Sequence, residues 1–78
     1  MTIKLYLNEK NKIMAKIGDK DYQAGEISLA VMLGKPEDVK RELGETKPDI
    51  EIEGSDPKLV DAKKEFDNLL EMFYNHNK

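Results

Sequence analysis

The chain predicts a small α+β fold: a small antiparallel sheet, made of an N-terminal hairpin plus one further strand, packed against two or three helices in the order β-β-α-α-β-α. Three observations lead there. Apolar and polar residues alternate through 2–7 and again through 12–17, the period of strands half-buried on a sheet. The stretch 57–75 instead repeats its apolar residues at helical spacing. Between these regions, 24–44 is interrupted by Gly34-Lys35-Pro36 and closes on Gly44, the punctuation of two short helices.

In the first strand Ile3, Leu5 and Leu7 share one face, and Thr2, Lys4 and Tyr6 the other. Asn8-Glu9-Lys10-Asn11 is turn-prone, after which Ile13, Ala15 and Ile17 line up in the second strand of a hairpin. Gly18-Asp19-Lys20-Asp21 is a further turn signal, and Tyr22-Gln23 is a candidate short third strand. The run Ile27 to Leu33 is nearly continuous in apolar residues, so it fits a buried strand or a buried helix. Leu29, Ala30, Met32 and Leu33 are good helix formers, and the stop at Gly34 favours helix. Pro36 then suits the first turn of a second helix, with Glu37 and Asp38 at the positive end of its dipole.

Asp49 to Glu53 alternates acids with Ile50 and Ile52, one more strand expected at a sheet edge. Asp56 and Pro57 read as N-cap and first residue of the last helix. There Leu59, Ala62, Phe66, Leu69, Leu70, Phe73 and Tyr74 fall in an arc of roughly 140°, wide enough to lie on a sheet rather than on one partner helix. Lys63 and Asp67 are spaced for a weak pair, and the polar end 75–78 is expected to fray. The expected core sets Ile3, Leu5, Leu7, Ile13, Ile17, Ile50 and Ile52 against Phe66, Leu69, Leu70 and Phe73.

With 78 residues, the chain is expected to form one domain, 1–78. It has no cysteine and one histidine, His76, which removes disulfides, thiolate metal sites and imidazole clusters. Cytoplasm is the default compartment. The longest apolar run, Leu29 to Leu33, is five residues, so no membrane segment is expected. Basic and acidic residues, 13 against 16, are interspersed, so the basic patch that would replace phosphate counterions is not visible and nucleic acid is disfavoured as a partner.

Few groups have the spacing that chemistry needs. Asp49, Glu51 and Glu53 share a strand face, but side chains two apart diverge, so a solvated edge that deters strand pairing is the expectation rather than a cation site. Asp19 and Asp21 lack the other acids of a calcium loop. His76 has no nucleophile beside it, Ser28 and Ser55 sit in no nucleophile motif, and the glycines are scattered at turns. No cofactor, metal or catalytic residue is expected, and the chain is read as not an enzyme. Segment 27–43 imitates a helix-turn-helix, in which Lys40 and Arg41 would contact phosphate. Its second helix nevertheless opens on Glu37 and Asp38, the wrong charge for that approach. Met32, Met72 and Tyr74 are the candidate partner-binding residues, since methionine and aromatic side chains form adaptable apolar contacts and Met72 falls outside the apolar arc.

The opening Thr2-Ile3-Lys4-Leu5-Tyr6-Leu7-Asn8, the second strand and the apolar helix ending near Gly34 resemble the start of tail assembly chaperones of phages infecting Gram-positive bacteria. Leu69-Leu70-Glu71-Met72-Phe73-Tyr74-Asn75 is similar to the C-terminal helix of that family, although this chain is shorter than most members. The resemblance implies a non-enzymatic phage or prophage protein that binds virion-assembly proteins and self-associates; it assigns no functional residue. The expected function is therefore a protein-binding accessory domain for assembly or host interaction, with another protein or a second copy as partner. The alternative is a small DNA-binding or transcription-modulating protein using 27–43.

Overall fold

The computed structural model describes residues 1–76, and the α+β class is as expected. In chain order the elements are β1 (Thr2–Leu7), β2 (Ile13–Ile17), β3 (Lys20–Gln23), α1 (Ala24–Leu33), α2 (Pro36–Leu43), β4 (Asp49–Ile52) and α3 (Pro57–His76). Segment 27–33 is thus helical, and the candidate strand at Tyr22-Gln23 is real, which makes the order β-β-β-α-α-β-α. Asn75 and His76 are helical; positions 77 and 78 of the end expected to fray lie outside the described residues.

The sheet order is β3-β2-β1-β4, with β4 at an edge as its alternating acids imply. The expectation of an antiparallel sheet needs correction: β2 pairs antiparallel with β1 and β3, but β4 pairs parallel with β1. Chain direction explains this. The meander leaves β3 at the end of the sheet where β1 finishes, and α1 carries the chain back to the end where β1 starts. A strand entered there runs the same way as β1, and the two intervening helices supply the long connection that parallel pairing requires. The parallel pair is closed by Asp49 N–H donating to Met1 O at 3.0 Å and Glu53 N–H to Leu5 O at 2.8 Å.

The turns follow from their residues. Asn8 organises the first: its side-chain oxygen accepts from Lys10 N–H and Lys12 N–H, each at 2.9 Å, while Asn11 takes the left-handed φ of 63° that asparagine tolerates. Gly18, at φ 64°, opens the tight turn into β3, at the position where a two-residue hairpin reserves positive φ for glycine.

Register sets the core. Ile3 faces Ile17 and Ile50, and Leu5 faces Ala15 and Ile52, so one sheet face is apolar across all its central positions. Ile3, Leu5, Ala15 and Ile50 are buried there, with Leu7, Ile13, Ile17 and Ile52 half-buried around them. α3 lays Leu59, Ala62, Phe66, Leu70 and Phe73 on this face. Each such large side chain contributes about 1.5–3 kcal/mol when taken fully from water. α1 adds Ala24 and Val31, and α2 adds Val39 and Leu43. The opposite sheet face is mainly polar: register aligns Asp21, Lys16, Lys4 and Glu51 in a row with two lysines at its centre and an acid at each end, and Tyr6 Oη donates to Asp21 Oδ1 at 2.7 Å.

Candidate protein-binding surface

α1 and α3 both start from the end of the sheet where β1 finishes, so they run side by side in the same sense. Their first turns form a seam in which Ala24 and Ser28 stand across from Ala62, Glu65 and Phe66. One helical repeat further on, the same faces present Met32 from α1 and Leu69 and Met72 from α3. Met32 and Met72 are 58% and 61% exposed, as a docking role requires.

The surface is larger than those two methionines. α1 reads Ala-Gly-Glu-Ile-Ser-Leu-Ala-Val-Met-Leu and has no polar face. A helix apolar on all sides is normally covered on all sides. This one buries only Ala24 and Val31, with Leu29 55% and Leu33 80% exposed beside Met32. Residues 29, 32 and 33 lie on one helix face, so they form a contiguous ridge rather than scattered contacts. From the sequence, Leu29 and Leu33 serve as helix formers and as apolar positions of the helix-turn-helix-like segment in a helix expected to be buried, not as contact residues. The missing polar face was the signal that could have singled them out.

Tyr74, the third candidate, is placed differently. It is half-buried, its hydroxyl donates to Gly44 O at 2.8 Å, and its ring meets Phe73 edge-on at 5.0 Å. Partial burial, and secondarily the charge of Glu45, hold its phenol above the ordinary pKa. The side chain ties α3 to the end of α2. Tyr6, on the open sheet face, is also raised, first by donating to Asp21 and then by partial desolvation.

On its other flank α1 meets α2 at a tight corner. Gly34 N–H donates to Ala30 O at 2.8 Å, and a side chain at position 34 would run into that same carbonyl. Val39 of α2 lies 3.6 Å from where that Cβ would stand, an ordinary contact, so it is the end of α1 itself, at the Ala30 carbonyl, that requires glycine here. Between them lies a groove of about 330 Å³ with Tyr22, Ile27, Ala30, Val31, Val39 and Leu43 on its walls. Its charged lining is Glu26, Asp38 and Glu42.

The other sequence candidates have local tasks or solvent exposure. Asp56 caps α3, its carboxylate accepting from Lys58 N–H at 2.9 Å. Asp67 pairs with Lys63 at 3.6 Å and with Lys47 at 3.4 Å, and Arg41 with Asp38 at 3.4 Å. Asp49, Glu51, Glu53 and His76 are exposed. Among the described residues no group of three or more His, Asp or Glu is placed to hold a metal ion, and no helix is long and apolar enough to cross a membrane. No protein-family model, no curated protein and no solved structure matches this chain.

Proposed function

We propose that the chain is a non-enzymatic protein-binding accessory domain of the cytoplasm, working in phage or prophage assembly or host interaction, with the ridge of α1 and the neighbouring Met72 as its contact surface. One observation carries this reading: a helix with no polar face leaves Leu29, Met32 and Leu33 in water. Single exposed apolar residues are ordinary, but a contiguous set on a small domain is the usual mark of an interface. Met32 on the ridge and Met72 on α3 add side chains that adapt to a partner's shape. The resemblance to tail assembly chaperones supports the same class of activity. DNA binding through 27–43 has less support, because the exposed first turn of α2 carries Glu37 and Asp38 and one of its two invoked cations, Arg41, is paired with Asp38.

The test is affinity capture of the tagged chain from lysate of its source, nuclease-treated, beside the variant Met32→Asp/Met72→Asp. The expected result is a stoichiometric protein partner held by the parent chain and lost by the variant, with unchanged far-UV circular dichroism. Equal recovery by both chains removes this surface. Recovery of nucleic acid that disappears with nuclease moves the assignment to DNA binding.

A further inference from the structure

We infer that the groove between α1 and α2 is the seat for a basic amphipathic segment of the partner protein, an inference that rests on the protein-binding reading above. The groove's walls are apolar, and three of their residues, Val31, Val39 and Leu43, belong to the buried core. Its volume of about 330 Å³ is open along one side, which suits a row of side chains from an elongated occupant. It is continuous with the exposed ridge, since Ala30 on the wall is one residue from Leu29 and three from Leu33 on the same helix.

The rim chooses the occupant. The three charged residues lining the groove are all acidic, and of these only Asp38 has an ion pair among the described residues, to the exposed Arg41. Glu26 and Glu42 therefore present two carboxylates on either side of an apolar trough, α1 supplying one and α2 the other. A second copy of this chain is a poor occupant: a two-fold arrangement would set Glu26, Asp38 and Glu42 against their own images. A segment with leucine-like residues on one face and lysine or arginine flanking them meets both features at once, the helix-in-groove mode of recognition. Charge of this kind steers encounter and selects partners more than it adds affinity.

The inference is tested with two synthetic helical peptides of about four turns, sharing one leucine pattern and bearing lysine in one and glutamate in the other. Amide shifts of the ¹⁵N-labelled full chain are followed during titration. The lysine peptide is expected to bind and to shift the amides of Glu26, Ala30, Gly34, Val39 and Glu42, and the glutamate peptide to bind at least about tenfold more weakly. Added salt weakens the lysine peptide. The variant Glu26→Lys/Glu42→Lys reverses the preference without changing thermal stability. Equal binding of both peptides, or shifts spread over the acidic residues of the whole surface, overturns the inference. So does a dimer in sedimentation that Ala30→Asp, on the exposed groove wall, breaks, because it makes a second copy the occupant. The two readings separate in the capture experiment: if Met32→Asp/Met72→Asp loses the partner while Glu26→Lys/Glu42→Lys retains it, the binding function stands and the groove is excluded. If both variants keep the partner, the ridge and the groove are both excluded as its contact surface.

Discussion

The two helices that lie side by side on the sheet, α1 and α3, are built on opposite plans. α3 has an Asp56 cap, a proline at its first position, one buried apolar face and a mostly polar and charged remainder in which Val60 and Met72 are the exposed large apolar side chains, so it suits a helix lying on a core. α1 begins without a side-chain cap, ends without a basic residue and carries apolar side chains into solvent. Local interactions stabilise α1 weakly; its burial against β2, β3 and α3 has to hold it. The lesson is that the fold accounts for α3 apart from a few exposed apolar side chains such as Met72, whereas on α1 it leaves a whole ridge, Leu29, Met32 and Leu33, unaccounted for.

The widest test of that contrast is truncation. Phe66→Ala in α3 is expected to lower stability by about 3–5 kcal/mol, a large part of what a small domain has, while Leu33→Ala stays within about 0.5 kcal/mol. Urea unfolding of the two variants measures both. A comparable loss at Leu33 would mean that the ridge is packed within the chain and the contrast is false.

A smaller effect separates the helix starts. Asp56→Ala should cost about 1 kcal/mol by leaving Lys58 N–H without its acceptor, whereas Gln23→Ser, at a position with extended φ and ψ and no side-chain cap, should stabilise by up to about 1 kcal/mol. Thermal melts read both signs, and a loss at Gln23→Ser would show that the start of α1 needs glutamine for the edge strand.

The smallest effect concerns the tie between α3 and α2. Tyr74→Phe removes the hydroxyl that donates to Gly44 O and should cost about 0.5–1.5 kcal/mol. The raised phenol pKa gives a sign in pH as well. The folded state holds the proton more tightly than the unfolded chain, so this contribution is complete below about pH 10 and is lost as pH rises through the raised value. Tyr74→Phe therefore shrinks the alkaline loss of stability to the share left by Tyr6. An unchanged alkaline limb in pH-dependent unfolding would place the loss elsewhere.

Much of the fold was legible because the periods are clean. Alternation at Ile3, Leu5 and Leu7 selected the inward face of β1, and the arc of α3 selected seven residues, of which Leu59, Ala62, Phe66, Leu70 and Phe73 are buried and Leu69 and Tyr74 half-buried. The candidate surface was legible only in part. Met72 could be placed outside the arc because α3 has two distinct faces. For α1 no such argument exists, since with apolar residues all round the period does not say which side meets the core; Met32 was singled out for its chemistry, and Leu29 and Leu33 were missed. Tyr74 fits the apolar arc by spacing, but its partner Gly44 lies 30 residues away, beyond the reach of any local pattern.

By itself the sequence determined the α+β class, the helices and their stops, the turn residues and the apolar face of each strand, because these depend on backbone preferences and on periods of two and 3.6 residues. Only the tertiary structure decided that β4 lies parallel to β1, that α1 and α3 run in the same sense, and that a groove with Glu26 and Glu42 on its rim opens between α1 and α2. Those outcomes depend on which way the chain is travelling when it returns to the sheet and on how the two helices pack after the corner at Gly34. Neither is a property of any one segment.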